Sequence, residues 1–330
     1  MKYGLAIWLD QPLDAICDLA VTAEDAGFSD VWLPDHYFLR DVYAAQALIA
    51  ARTTTVRLAT GIAAIQLRHP ALIASAAATI AECSGGRAVI GIGPGGHEFP
   101  SQFAMRPKSP LTMLREAVVI IRQLSSGSAD FRGDYFCADG SALGWRIDPP
   151  PPIFLSARGP RMLELSGEIA DGIIVHGVHR DFIDYVRARV AHGAARAGRD
   201  PGECQIAVML DVEVDRDEAA AMDRLRPRCT LMAGGSYADE LIPVYGFDPG
   251  AVATLRTALN DPDVAEARYV TDDMVRAFAI GGTVETVAEQ LGELRGLGVD
   301  LAILKLGEGD TAATKTLIET VAPIIRGELA

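Results

Sequence analysis

The sequence predicts an α/β chain folded as a (β/α)8 barrel with insertions, and three observations carry that expectation. Short apolar runs alternate with longer helical stretches along most of the chain. The first of these runs are almost continuously apolar, as parallel strands are when both of their faces are covered. Eight such units fit within 330 residues, a size that one closed barrel can reach. A doubly wound open sheet is the competing arrangement, weakened because the units carry no dinucleotide fingerprint.

In chain order the expected strands cover residues 2–8, 30–34, 57–61, 88–93, 152–156, 172–176, 205–214 and 300–306. Helical patterns fill residues 13–26, 43–52, 70–83, 110–124, 161–169, 181–197 and 283–297. Two stretches break the alternation. Residues 125–151, rich in Gly, Asp and aromatics, read as a hairpin inserted before the fifth strand. Residues 216–280 read as a long, mostly helical excursion. Insertions near the C-terminal face of a barrel commonly cover the active site. No linker is long enough to separate two domains, so residues 1–330 are expected to form one.

Composition narrows the class. Hydrophobic residues make up 49% of the chain, enough for a large core. The mean hydropathy is only +0.18, and no apolar run reaches the length of a membrane span. The start, MKYGLAIWLD, runs directly into a strand pattern without the apolar core of a signal peptide. A net charge of −14 argues against nucleic acid and anionic membranes as partners. The five cysteines, Cys17, Cys83, Cys137, Cys204 and Cys229, form no CxxC pair and read as buried thiols of a cytoplasmic protein. There is no HExxH or other metal-ligand spacing among the histidines, and no GxSxG nucleophile motif.

Active sites of barrels lie where strands end at the C-terminal face, so the residues that follow each strand are the candidates. After the second strand come Asp35 and His36, a carboxylate beside an imidazole, suited to orienting it and to proton transfer. A helix-capping Asp and a solvated His are the ordinary alternative. After the third strand, Gly61 and a run of small residues suit close approach to a flat ligand, with Arg68 and His69 beyond. After the fourth, the GIGPGG segment offers an open backbone wall, followed by His97 and Glu98. After the fifth, Ala157-Arg158-Gly159-Pro160 opens a helix. Pro160 fits a first helical turn, Gly159 allows close approach of the backbone, and a helix N-terminus attracts anions such as phosphate.

Through these residues the chain resembles the luciferase-like flavin and deazaflavin oxidoreductases. Within them it resembles the methylenetetrahydromethanopterin reductases that use coenzyme F420. The resemblance is carried by LPDHYFLRDVY (33–43), ATGIAAIQLRHPALIASAAATI (59–80), GRAVIGIGPGG (86–96) and LSARGPRMLELSGEIADGIIVHG (155–177), collinear across strands two to six. It implies a TIM barrel of the bacterial-luciferase type and hydride transfer to a C=N, C=C or C=O acceptor. FMN, serving a monooxygenase supplied by a separate reductase, is the alternative cofactor. The resemblance places Asp35 and His36 at the ring and makes Gly61–Ile62 a non-proline cis peptide behind it. It lines the cofactor with Gly93, Pro94 and Gly95, and sets Ala157, Arg158 and Gly159 around its phosphate, with Val175, His176 and Gly177 alongside.

Two positions depart from the resembled reductases, which carry acids where this chain has Ala6 and Gly96. Asp10, His97 and Glu98 are the candidate substitutes. The small-residue face of residues 72–80 suggests a homodimer or higher assembly, although packing on the barrel explains the same alanines.

Overall fold

The computed structural model describes residues 1–36, 38–95, 103, 109–235, 238–261, 265–307 and 309–329. Eight parallel strands close into a barrel: β1 (Lys2–Ala6), β2 (Asp30–Leu33), β3 (Arg57–Thr60), β4 (Ala88–Gly93), β5 (Ile153–Ser156), β6 (Gly172–Val175), β7 (Gln205–Val214) and β8 (Leu301–Leu306). Closure is completed by β8, which pairs with β7 on one edge and β1 on the other. Twelve α-helices are described: α1 (Leu13–Ala26), α2 (Val42–Ala50), α3 (Pro70–Ser84), α4 (Pro110–Ser125), α5 (Pro160–Ile169), α6 (Arg180–Ala197), α7 (Glu218–Gly234), α8 (Ala238–Tyr245), α9 (Pro249–Leu259), α10 (Asp272–Phe278), α11 (Val284–Gly296) and α12 (Thr311–Ile325). No described helix is long and apolar enough to cross a membrane.

Side chains alternate across each strand. One set fills the barrel: Trp32, Ala59, Val89, Phe154, Ile174, Ala207, Met209, Leu301 and Ile303. The other set, including Leu5, Val31, Leu58, Val208 and Leu304, packs under the helices. The interior is narrow, and its bulk is concentrated in Trp32 and Phe154, whose rings meet edge to face at 5.5 Å. Gly172 makes room for them, since a Cβ there would lie 2.2 Å from the Phe154 ring.

Strands β1, β2, β3 and β6 leave the sheet one or two residues earlier than the apolar runs suggest, and the other four end where expected. Trp8, Pro34, Gly61 and His176 therefore belong to the loops that line the mouth. The hairpin insertion is present, with Ser128–Ala129 antiparallel to Ser141–Ala142. It is pinned to α4 by the buried Glu116, which accepts the N–H groups of Asp134, Tyr135 and Phe136. The second insertion carries α7 to α10 and ends in a strand, Ala279–Gly282, paired with the upper half of β7. That strand and α12 were not anticipated. Burial of all five cysteines was expected, yet Cys83 and Cys137 are exposed, because α3 and the hairpin turn those positions to solvent.

Candidate active site

The mouth is shaped by a break in pairing between β3 and β4. Leu58 and Ala59 pair with Ala88 and Val89. Pairing resumes when Ala63 and Ala64 meet Ile92 and Gly93. Thr60, Gly61 and Ile62 thus oppose only Ile90 and Gly91, which makes a bulge of one extra residue. The Gly61–Ile62 peptide within it is cis. Thr60 fastens the bulge from the side: its hydroxyl donates to the Gly91 carbonyl (2.7 Å) and accepts the Gly91 N–H (2.9 Å). Gly61 N–H donates to Leu33 O (2.7 Å), and Asp35 N–H donates to Ile62 O (3.3 Å). The bulge and the exit of β2 are therefore one unit.

Asp35 is held by Arg68, whose Nε lies 2.8 Å from its carboxylate, and the same guanidinium reaches Asp41 at 2.6 Å. These two acids fix the charge of Arg68 firmly, raising its pKa beyond the ordinary arginine value. Arg68 also lies over the Tyr43 ring. Arg68 is thus a clamp joining β2, the loop after the bulge and the start of α2, where Asp41 also caps the helix. Beside Asp35, the half-buried His36 meets the Trp8 ring edge on at 5.9 Å.

Gly93 faces the bulge. A Cβ there would lie 3.1 Å from Ile62 Cδ1 and 3.2 Å from Ser156 Cβ, so Ile62, Gly93 and Ser156 converge on one spot. Pro94 follows, and Gly95 takes φ 86. Gly96, His97 and Glu98 lie outside the described residues. Asp10 is exposed at the rim.

Across the mouth, the start of α5 has Gly159 as its N-cap with no side-chain cap bond. The N–H of Ala157 is bonded to Ile174 O at 3.0 Å. This narrows the expectation that Ala157 donates to a phosphate, because its N–H belongs to the sheet. The Arg158 side chain reaches away to the C-terminal carbonyls of α7, Leu231 O (3.3 Å) and Met232 O, where a cation suits the helix dipole. Val175 is fully buried and Gly177, at φ 138, packs against Tyr245 and Phe182, leaving no space for a Cβ. Between them, burial holds His176 down to about 4, assisted by the charges of Lys305 and Arg158, so its imidazole is neutral at physiological pH.

The sequence reading missed a group of inward-facing charges on β7 and β8. Asp211 and Glu213 are 9% and 6% exposed. Lys305 Nζ lies 3.0 Å from Asp211, and Arg228 is 2.9 Å from Glu213. The available signal was a charged residue at inward parity in otherwise apolar strands, QIAVMLDVEV and LAILKL. Among the described residues, no group of three or more His, Cys, Asp or Glu is arranged to hold a metal ion.

A family model described as luciferase-like monooxygenase matches residues 2–301. The 5,10-methylenetetrahydromethanopterin reductase of Archaeoglobus fulgidus is 34% identical over 305 residues, covering 91% of either chain. That of Methanolobus tindarius is 32% identical, covering 91% of this chain and 92% of its own. The solved structure of the coenzyme F420-dependent tetrahydromethanopterin reductase from Methanopyrus kandleri superposes with a TM-score of 0.88 at 27% identity, over 100% of this chain and 99% of that one.

Proposed function

The chain belongs to the luciferase-like monooxygenase family, and we propose that within it this protein is a coenzyme F420-dependent oxidoreductase acting on a small-molecule C=N, C=C or C=O acceptor. The observation that carries this reading is the Thr60–Ile62 bulge, fastened by Thr60 and facing the bare Gly93 backbone. Its glycine backbone and the Ile62 side chain make an apolar wall of the kind a tricyclic ring would rest against. The α5 N-terminus, without a side-chain cap, adds an anion-facing end suited to the cofactor's phosphate. The likeness to reductases named for methylenetetrahydromethanopterin supports the choice of cofactor.

When bound, a reduced deazaflavin supplies a hydride from its C5 carbon. The chain's task is to orient and to exclude water. Gly61 and Ile62 would back the ring, with Gly93, Pro94 and Gly95 along its edge. Gly159 and the first turn of α5 would receive the phosphate, with Val175, His176 and Gly177 alongside. Asp35, fixed by Arg68, holds the exit of β2 against the bulge. His36, next to it, would hold or move a proton during the transfer.

The test is a parallel titration of the apo-protein with coenzyme F420 and FMN, followed by tryptophan quenching. Trp8 sits at the rim beside His36 and Trp32 beneath Gly61, so a ligand in the slot reports directly. Tight F420 binding with weak FMN binding is expected. A clear preference for FMN would replace this reading with an oxygen-using monooxygenase.

A further inference from the structure

We propose that the protein carries a second small-molecule site, outside the barrel, for an α-amino acid with a large apolar side chain. The site is a cavity of about 310 Å³ between the entry of α6 and α11, with the inserted strand Ala279–Gly282 contributing to its floor. It goes beyond the hydride-transfer reading and stands independently of the cofactor. An engineered apolar cavity of about 150 Å³ holds a benzene molecule, so this one has room for roughly a dozen non-hydrogen atoms. One stripe of α11 lines it: Gln290, Glu293, Leu294 and Leu297 follow the i, i+3, i+4, i+7 spacing of a single helix face. Leu294 and Leu297 are buried, as are Ala279 and Ile280 of the strand. These four side chains make an apolar floor, where a hydrophobic group gains by leaving water.

The charged residues of the lining define the head of the ligand. Arg180, at the start of α6, and Glu293, on α11, line the cavity from two different walls. Neither side chain has a hydrogen bond or ion pair among the described residues. Arg276 is the third charged residue of the lining, and it is already engaged by acids of its own helix, Asp272 at 3.9 Å and Asp273 at 3.4 Å. The unpaired charges are therefore one cation and one anion, and the lining has no net preference for either sign. A ligand that carries both signs satisfies both walls, its carboxylate at Arg180 and its ammonium at Glu293. A second observation points the same way. The Nδ1 atom of His179, which also lines the cavity, is buried without a hydrogen-bond partner. Buried polar atoms are nearly always bonded, and a carboxylate bound at Arg180, the next residue, would supply an acceptor.

The test uses three probes of one shape, L-phenylalanine, 3-phenylpropanoate and 2-phenylethylammonium, titrated into the purified protein with ligand-observed NMR. Wild type should bind L-phenylalanine at least tenfold more tightly than either singly charged probe. Arg180→Gln should lose at least tenfold of the L-phenylalanine affinity and leave that for 2-phenylethylammonium within threefold. Glu293→Gln should lose as much and leave 3-phenylpropanoate within threefold. Gln290→Trp, which fills the cavity and keeps both charges, should abolish L-phenylalanine binding. Arg180 and Glu293 are exposed, so their variants should keep the wild-type urea midpoint, and they decide the matter even if Gln290→Trp does not fold. Equal affinity of wild type for the three probes overturns the proposal, as does no detectable binding of L-phenylalanine. So does L-phenylalanine binding that survives either charge substitution or, in a folded protein, Gln290→Trp, which would place the amino acid elsewhere.

Discussion

Gly91→Ala is the sharpest test of how the slot is built. A Cβ at Gly91 would lie 2.0 Å from the Thr60 carbonyl oxygen and 3.2 Å from the Trp32 ring. Ordinary contact begins near 3.4 Å, so the Thr60 backbone has to retreat by roughly 1.4 Å, and Trp32, fully buried against Phe154, blocks an inward shift. Such a retreat breaks both Thr60–Gly91 hydrogen bonds, each contributing about 1 kcal/mol. Overpacking of a dense interior adds about 1–3 kcal/mol. The expected loss is therefore about 3–5 kcal/mol, read by urea unfolding. The same displacement moves Gly61 and Ile62, so F420 affinity in the quenching titration should fall by at least tenfold. Thr60→Val separates the two effects. It removes the hydroxyl bonds and costs about 2 kcal/mol, but it leaves the backbone path open, so affinity should change only a few-fold. A Gly91→Ala protein with wild-type unfolding midpoint and wild-type affinity would refute the claim that this contact positions the bulge.

Two further outcomes follow from the site's electrostatics. His176 titrates near 6.5 when unfolded and about 4 when folded. The unfolded state therefore binds the extra proton first, and stability present above pH 6.5 is lost as the pH falls toward 4, by up to about 3 kcal/mol. His176→Gln should flatten the stability curve over that window, and parallel curves for the two proteins would exclude the assignment. Arg68→Met strips Asp35 and Asp41 of their shared cation and should cost about 2 kcal/mol. It should also weaken F420 binding through the Asp35–Ile62 link; an unaltered affinity would show that the clamp does not set the bulge.

Much of the barrel was legible because its signals are local. Strands such as Ala88–Gly93 are buried on both faces and read as unbroken apolar runs, and the loops after them hold Asp35, His36, Gly61 and the Gly93-Pro94-Gly95 wall. The start of α5 was equally plain, since Pro160 suits a first helical turn and Gly159 is its N-cap. The pairings were not legible. Lys305 meets Asp211 across 94 residues, and Arg158 reaches the end of α7 across 73. Nothing near any of these residues in the chain names its partner. Ala157 looks like a free donor in the sequence, until β6 arrives beside it and Ile174 takes its N–H. The sequence by itself determined where the eight barrel strands and most of the helices form, because hydrophobic periodicity and turn chemistry act over a few residues. The tertiary structure alone decided which charges face the mouth and which are neutralised, because that depends on the register with which the barrel closes and on where α7 is laid across it.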